Sequence, residues 1–427
     1  MLSDRALIAR YFQRLAFGPK PGQFNQALQN GASRTLNNIL TTAPISSVAM
    51  PVFETLGPQP KVGAIDRAAW GLRMQAQRNQ LVMWWLDQMV AVDNPFQERI
   101  VWFWHGHWAT SLDKVIYANA MLQQNKIFRN YGLGNFKTFA RQMITDGALQ
   151  YWLDNNSNTV KAPNENLARE LMELFTLGVG RYTEDDIKQA AKALTGYSLD
   201  RESGVVTFNP KKHDSSQQNI LGRTQNFDGL SLVDYLVDQD NCGNFIAERL
   251  WFRFISDENP LPDKSIQLAF KDRDLNKAFT AMANHSGMSD EKNSMVRPPL
   301  EWFIASCRAL NVLPSKLGKP ETVLNFLEKI AQKPFYPPNV GGWPAGEIWL
   351  TAANAQYRLT LAQLIVSNGD ISPISNLPAY SRVAALADFL GVDQWSPRTK
   401  MALVASQSNS SQLIITALCA PEYLVSA

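Results

Sequence analysis

The segment APNENLARELMELFTLGVGRYTEDDIKQAAKALTGYSLD, residues 162–200, shows most directly how this chain is built. Apolar residues recur in it at the three- and four-residue spacing of a helix that packs on one face. We expect one helix over about 165–177 and a second over about 183–196, each ended by a glycine. Thr183 and Asp186, three residues apart, predict a near capping box at the start of the second helix.

Helical periodicity also dominates outside this segment. It is clear at residues 4–16 and over about 66–92, where the second half is apolar nearly all round and is expected to be buried. Residues 45–63 are rich in proline, glycine and serine and are expected to form a loop. Later helices are expected at about 229–239, 243–255, 263–283, 298–310, 319–332, 350–367, 380–390 and 411–419.

The best strand candidate is VVTFNP, residues 205–210, which could form half of a small hairpin. The predicted fold class is therefore mainly α: a large multi-helix domain with one or two short β-strands near residues 200–210. We expect a single domain over residues 1–427, with a subdivision into 1–200 and 201–427 as the alternative.

Composition indicates an ordinary globular protein. Of 427 residues, 45% are apolar and 19% are charged, and 41 basic against 38 acidic side chains give a net charge of +3. The basic residues are scattered, so the sequence predicts no nucleic-acid partner. No apolar run is long enough to span a bilayer, and the amphipathic start does not resemble a signal peptide. A cytoplasmic location is expected for the chain as written, with export of a longer precursor as the alternative. The oligomeric state is not predicted.

The stretch VWFWHGHWATS, residues 101–111, holds two of the four histidines of the chain. Asn94 and Pro95 predict the start of the helix that carries it, and Gly106 predicts the point where that helix loosens or ends. On an ideal helix, residues two apart point about 200° away from each other, so His105 and His107 could share a metal ion only if the backbone leaves the helix at Gly106. The alternative is two unrelated structural histidines. If the helix continues, we expect His105 to be the one that faces the helix of Glu170.

The helix over about 165–177 carries the candidate carboxylates. Glu170 lies at the edge of its leucine stripe and is expected to be buried with a partner, either a metal ion, an arginine or a hydrogen-bond cluster. The alternative is a surface network of Glu165, Arg169 and Glu173, with Glu170 capping a nearby group.

The loop NPKKHDSS supplies the remaining candidates. His213 and Asp214 could provide one ligand and one orienting carboxylate, or form a local turn. His285 is expected at the surface. The glycine-rich loop PPNVGGWPAGEIW, residues 337–349, could line a pocket, because paired glycines allow the backbone to approach closely.

Several segments, in this order, resemble a large bacterial family catalogued as domain of unknown function 1800. They cover nearly the whole chain and include RLAFGP, FWHGHWATS, NENLARELMELF, FIAERLWFRF, RPPLEWFIASCRALN and PPNVGGWPAGEIWL. The typical family segment Phe-Trp-His-Asn-His-Phe matches His105 and His107, whereas Gly106 and Trp108 depart from it.

Other family segments match around the carboxylates. Asn164 to Leu171 match the family's Asn-Glu-Asn-x-Ala-Arg-Glu-Leu, and His213 and Asp214 match its His-Asp pair. Many members have a histidine where this chain has Phe175, so that position is not an obligatory ligand. The resemblance implies a bacterial source, a helical architecture, and a shared polar or metal site at these residues.

The favoured function is a metal-dependent enzyme, hydrolytic or oxidative, with a site in a tryptophan-lined pocket. Its expected metal ligands are His105, His107, Glu170 and His213, and the candidate general bases are Glu173 and Asp214. Two or three imidazoles with a carboxylate suit zinc, iron, manganese or copper. The substrate could be a small molecule, a peptide or a glycan.

Two alternatives stay open. The first is a non-catalytic binding or assembly protein in which the polar residues form a buried network that fixes helix register. The second is a metal-free enzyme that uses Glu170 with His213 as an acid–base pair, or Glu170 with Asp214 as the two carboxylates of a glycoside hydrolase.

Overall fold

The computed structural model of the chain describes residues 1–426 and is mainly α, as predicted. The α-helices of the first half are α1 Asp4–Leu15, α2 Gln23–Asn30, α3 Ala32–Thr41, α4 Arg67–Ala91, α5 Phe96–His107, α6 Leu112–Val115, α7 Ala118–Tyr131, α8 Phe136–Ile144, α9 Gly147–Trp152, α10 Asn166–Glu170 and α11 Glu184–Ala193. The α-helices of the second half are α12 Gly229–Asp238, α13 Asp240–Phe254, α14 Ser265–Ala269, α15 Leu275–Ala283, α16 Pro299–Ala309, α17 Pro320–Lys329, α18 Ala352–Asn368, α19 Ser372–Ser375, α20 Ala379–Leu390, α21 Pro397–Ser406, α22 Ser410–Leu418 and α23 Pro421–Leu424.

Short antiparallel pairs are the only sheets among the described residues. The strands are β1 Tyr197–Leu199, β2 Val206–Phe208, β3 Gln218–Ile220, β4 Arg223–Gln225, β5 Met295–Val296 and β6 Val425–Ser426. The predicted strand is β2, which pairs with β1 in a hairpin. The pair β5–β6 joins residues far apart in sequence, with Met295 opposite Ser426.

The helix that the sequence predicts over 165–177 changes from an α-helix to a π-helix halfway along its length. It is α-helical over α10 and continues as a π-helical turn over Leu171–Thr176. The π turn widens the backbone, and a single π turn inside a helix is a frequent feature of functional sites. The capping box of Thr183 and Asp186 is present at the start of α11, as predicted.

The predicted helix over 263–283 is two helices in the structure. Arg273 has a φ of 60° between them, a left-handed conformation that interrupts the helix. The Asp274 side chain then accepts from the Lys277 backbone N–H and caps α15. The apolar periodicity of the sequence continues across Arg273. The sequence pattern therefore does not reveal that the helix is interrupted there.

One connected set of buried apolar side chains extends from Ile8 to Tyr423. The second half of α4 is buried within it, as predicted. The subdivision at residue 200 stays a prediction, and Ala427, the last residue of the predicted domain, lies outside the described residues.

A fully buried arginine ties distant parts of this core together. The Nε atom of Arg308, on α16, donates to the carbonyl of Gly18 at 3.0 Å. Its Nη1 atom donates to the carbonyls of Val90 and Val92 at 3.0 and 2.7 Å. Its guanidinium therefore donates hydrogen bonds both to the end of α4 and to the turn after α1. These carbonyls take the place of the water molecules that would hydrate the guanidinium at the surface.

No helix within residues 1–426 is both long and apolar enough to cross a membrane.

Candidate functional site

The helix that carries His-Gly-His ends one residue after Gly106, close to the predicted point, but it does not loosen between the two histidines. Helix α5 continues through Gly106 to His107, and the Trp108 backbone N–H still donates to the Trp104 carbonyl. Glycine permits a break in a helix but does not require one. Here the aromatic side chains on either side of Gly106 are buried in helical positions, and the helix stays regular. The two histidines therefore point to different sides of α5.

His105 packs against aromatic rings and holds a loop. Its ring lies 5.3 Å from that of Trp85 and 5.2 Å from that of Phe335, between centroids. Its Nε2 atom accepts from the Phe335 backbone N–H at 2.9 Å, so the neutral ring carries its proton on Nδ1. Burial lowers the pKa of His105 to about 3. This histidine stays neutral and serves to fix the strained backbone of Phe335, whose φ is 66°.

His107, and not His105, faces the helix of Glu170. Its Nε2 atom lies 3.1 Å from the carbonyl oxygen of Phe175, in the π-helical turn. That carbonyl lies in the last turn, where carbonyls lack helical partners, so His107 donates to it and needs the opposite tautomer to His105. Burial, with a smaller contribution from the charge of Arg249, lowers the pKa of His107 to about 3. The expectation that His105 would face this helix was wrong.

The candidate carboxylates lie near the surface of the same helix. Glu170 is half-buried, which raises its pKa, and the nearby charge of Glu173 adds to that shift. Within residues 1–426 no side chain or backbone group forms a hydrogen bond or ion pair with Glu170. Glu173 accepts instead from the Tyr182 hydroxyl, and Arg169 pairs with Glu165 and Glu184. The predicted ion pair of Glu165 with Arg169 is present, whereas the expected burial of Glu170 with a partner is not found.

Asp214 makes the local contacts that one of the two interpretations expected, whereas His213 contacts Thr195, 18 residues earlier in the chain. The Nδ1 atom of His213 lies 3.2 Å from the Thr195 carbonyl oxygen. Asp214 accepts from the backbone N–H and the hydroxyl of Ser216, and these bonds lower the pKa of its carboxyl. Both side chains are half-buried beside the β1–β2 hairpin.

His285 lies in the interior, so its expected place at the surface was wrong. It is buried against Trp251, and its Nδ1 atom accepts from the Gly287 backbone N–H at 2.9 Å. Its Nε2 atom lies 3.2 Å from a carboxylate oxygen of Asp263. Across the described part of the chain, no three His, Cys, Asp or Glu side chains come together in a way that could hold a metal ion.

A cavity whose arginine lining was not predicted from the sequence opens on the third side of α5. Arg99, Trp102, Phe103 and Gly106 follow one another at helical spacing and form one wall of it. A Cβ atom at Gly106 would meet no atom within 4 Å, because that position opens into the cavity. The cavity opens to solvent: about 60 Å³ is accessible to the centre of a water-sized sphere, within about 730 Å³ of space that includes the open mouth.

Four arginines line this cavity, which we call the arginine cavity. They are Arg14 of α1, Arg99 of α5, Arg253 of α13 and Arg297 at the end of β5. The one carboxylate on the lining is Glu301 of α16, and it forms an ion pair with Arg99. The described lining thus carries a surplus of positive charge, which is unusual for groups withdrawn from water.

The four guanidinium groups differ in how they are satisfied. Arg14 is fully buried and donates to the Ser426 hydroxyl at 2.8 Å and to the Ile255 carbonyl at 2.8 Å. Arg253 donates to the carbonyl of Trp343, and burial, with the charge of Arg249 as the next cause, lowers its pKa to about 9. Arg253 therefore keeps its charge near neutral pH, and both arginines donate to neutral partners.

Arg297 differs from the other arginines of the cavity in the hydrogen bonding of its guanidinium N–H groups. Its side chain lies over the Tyr423 ring, with the guanidinium carbon 4.4 Å from the centroid. Its Nη1 and Nη2 atoms are buried, and no acceptor within residues 1–426 meets the full hydrogen-bond geometry to either. Burial lowers the pKa of this guanidinium, and the Tyr423 hydroxyl and the charge of Glu301 partly oppose that shift. A buried guanidinium that lacks acceptors is costly unless another molecule supplies them.

Trp343 and Ala345 of the glycine-rich loop, residues 337–349, line one side of the arginine cavity, in agreement with the predicted role of this loop in lining a pocket. Gly342 has a φ of 79°, and a Cβ atom there would collide with the Gly106 carbonyl, so the loop can approach α5 only through a glycine. Trp343 follows and lies 4.6 Å from Trp102, between ring centroids, at an interplanar angle of 30°. Its buried Nε1 atom has no acceptor in the described chain.

Sequence reasoning missed the arginines because it searched for histidines and carboxylates. A usable signal was present: each arginine stands among apolar or aromatic residues, as in the stretches RYFQRLAF, ERIVWFW, LWFRFIS and MVRPPLEWF. An arginine in such a stretch is expected to be buried, and a buried charge needs a partner.

Comparison with known proteins gives a family and no function. The family model described as "Protein of unknown function (DUF1800)" matches residues 10–425, nearly the whole chain. No curated protein and no solved structure matches the chain. The matched range contains α5, both histidines and all four arginines of the cavity. The chain belongs to the DUF1800 family.

Proposed function

We propose that this protein binds a small anionic molecule in the arginine cavity. The observation that carries the proposal is Arg297, whose buried Nη1 and Nη2 atoms have no acceptor among residues 1–426. A trapped water molecule would satisfy its hydrogen bonds but leave its charge unneutralised, whereas an anion does both. Guanidinium groups bind carboxylates and phosphates through two parallel hydrogen bonds, which makes these the expected anionic groups.

The surroundings of Arg297 support the same function. The other three arginines of the cavity add to the positive potential, and only Arg99 has a carboxylate partner on the lining. Apolar walls lower the local dielectric and strengthen the attraction for a ligand that leaves water. The protein is thereby a binding protein, or an enzyme whose substrate is an anion.

Isothermal titration calorimetry with inorganic phosphate and with succinate tests this proposal. We expect either anion to bind the wild-type protein and to raise its melting temperature with the logarithm of ligand concentration above the dissociation constant. Arg297→Met should weaken binding at least about tenfold, since a hydrogen bond to a charged group contributes about 1.5–3 kcal/mol.

The control is Arg398→Met, which removes the same charge from an exposed position outside the cavity. It should leave both affinities unchanged at constant ionic strength. If Arg297→Met and Arg398→Met bind these anions equally well, the cavity is not the anion site.

The metal-dependent enzyme predicted from the sequence stays a prediction and draws no support from the positions of its four ligands. His105 and His107 point to different sides of α5, and Glu170 and His213 each have other surroundings. Elemental analysis of untagged protein tests it directly. A stoichiometric metal that disappears in His107→Gln would restore that prediction.

A further inference from the structure

The arginine cavity carries more than positive charge, and its other polar groups restrict what the anion can be. Besides the donors of Arg297, the Nε1 atom of Trp343 is buried without an acceptor. Gln13 also lines the cavity, and its side-chain amide forms no hydrogen bond with the described protein. Glu301 supplies the one carboxylate. The lining therefore presents several unused donors and one acidic acceptor.

We infer that the ligand is a small dianion that carries a hydroxyl group. This inference rests on the proposed anion-binding function and specifies its ligand class. A hydroxylated dicarboxylate and a phosphate ester of a small polyol share this chemistry, and the choice between them is left to the experiment below.

The charge of the lining favours a dianion. Four guanidinium groups face one carboxylate on the lining, a surplus of three positive charges among the described residues. Beyond the lining, the negative charge of Asp257 and the positive charges of Arg10 and Arg249 also act on Arg14 or Arg253, so the surplus does not fall below three. A monoanion would leave most of this charge uncompensated in a water-poor site, whereas a dianion compensates more of it.

Glu301 favours a hydroxyl group on that dianion. Its Oε1 atom binds Arg99, whereas its Oε2 atom accepts no hydrogen bond from any group within residues 1–426. A ligand that buries Oε2 without a donor would leave a desolvated carboxylate oxygen unpaired. A hydroxyl supplies the donor without a charge. An ammonium group would also supply one, but it would add a positive charge beside four arginines.

The aromatic side chains define where the carbon skeleton of the ligand lies. Trp102, Phe103 and Phe254 line the cavity together with Trp343, so one wall is apolar between the charged groups. A skeleton of a few carbon atoms can contact this wall while its anionic ends reach the arginines. Inorganic phosphate has no such skeleton and makes only the charged contacts.

Matched pairs of probes test the inference on the wild-type protein. Malate and succinate differ only by a hydroxyl group, and glycerol 3-phosphate differs from propyl phosphate only by its two hydroxyls. We expect one enantiomer of malate to bind about tenfold or more tightly than succinate if the ligand is a dicarboxylate, and the phosphate pair to show this preference if it is a phosphate ester. Acetate, a monoanion, should bind more weakly than either dianion class.

The failures of the two proposals are distinguishable. Equal affinities within both pairs would overturn the hydroxyl inference and leave anion binding intact, and acetate that binds as tightly as succinate would overturn the dianion. The absence of binding by every probe would overturn the proposed function itself. Glu301→Gln should remove the preference within the pair; if that variant does not fold because Arg99 loses its partner, the probe pairs on the wild-type protein still decide.

Discussion

Two buried arginines of this protein have opposite surroundings. Arg308 is fully buried, and its Nε and Nη1 atoms donate to carbonyls of Gly18, Val90 and Val92. Arg297 is almost as deeply buried, but its Nη1 and Nη2 atoms have no acceptor in the described chain. A guanidinium that serves the fold is saturated by the chain that it holds together. The unsaturated one is the observation on which the proposed anion site rests.

The largest expected effect is on the stability of the Arg308→Met variant. Methionine fills much of the volume but leaves several buried carbonyls unpaired, so we expect the free energy of unfolding to fall by about 4 kcal/mol or more. Arg297→Met removes a buried charge that has no acceptor and should change stability by less than about 1 kcal/mol, or increase it. Urea unfolding of both variants measures the difference. Similar losses in the two would contradict the contrast between them.

A smaller loss is expected where a histidine, and not an arginine, supplies the donor. His107→Ala removes the donor to the Phe175 carbonyl and leaves a void among aromatic rings, at a cost of about 2–4 kcal/mol. His213→Ala, at a half-buried position, is the control and should cost less than about 1 kcal/mol. Neither variant should weaken anion binding. A stable His107→Ala protein would argue against a structural role for this histidine.

The neutral histidines also predict a dependence of stability on pH. The pKa of His105 and of His107 is about 3 in the folded protein, below the ordinary value of 6.5. The unfolded chain therefore takes up protons that the folded protein does not, and stability that is present above about pH 6.5 is lost as the pH falls toward 3. Each histidine contributes a slope of up to about 1.4 kcal/mol per pH unit.

The variant His107→Gln isolates one of these slopes, because glutamine keeps a donor and does not titrate. We expect its unfolding free energy to fall less steeply than that of the wild type between pH 6.5 and 4.5. Parallel curves for the two proteins would mean that His107 is not buried as a neutral ring.

The smallest expected effect is that of Gly106→Ala, which should change the stability of the fold and the affinity of the cavity in opposite directions. Gly106→Ala adds a Cβ atom that meets nothing within 4 Å, and alanine stabilises a helix interior by about 0.5–1 kcal/mol relative to glycine. The same atom takes space from the ligand. We therefore expect a slightly higher unfolding midpoint together with a severalfold lower affinity for the best probe, measured by calorimetry. A gain in affinity would place the ligand away from α5.

Features that depend on neighbours in sequence could be predicted, and these include most of the helices, the capping box of Thr183 and the hairpin strand β2. The break at Arg273 could not, because a single left-handed residue leaves the apolar periodicity unchanged. The course of α5 through Gly106 was also missed, since a glycine permits a break without requiring one.

The candidate site was less predictable than the fold. Its residues come from α1, α5, α13, α16 and the end of β5, and no short motif connects them. The histidines were conspicuous because histidine is rare in this chain, but their partners are the backbone groups of Phe335 and Phe175. A hydrogen bond to a backbone group cannot be predicted from residue types. The burial of an arginine that stands within an aromatic stretch of sequence can be predicted.

The position of Arg308 also has a consequence for biosynthesis. Its partners are made long before it: Gly18 precedes it by 290 residues and Val92 by 216. While a ribosome is still translating the first 300 residues, the end of α4 and the turn after α1 lack the group that satisfies their carbonyls. Contacts so distant in sequence close slowly. These carbonyls should therefore stay without this partner until translation has passed α16, and a pause before that point should expose them for longer.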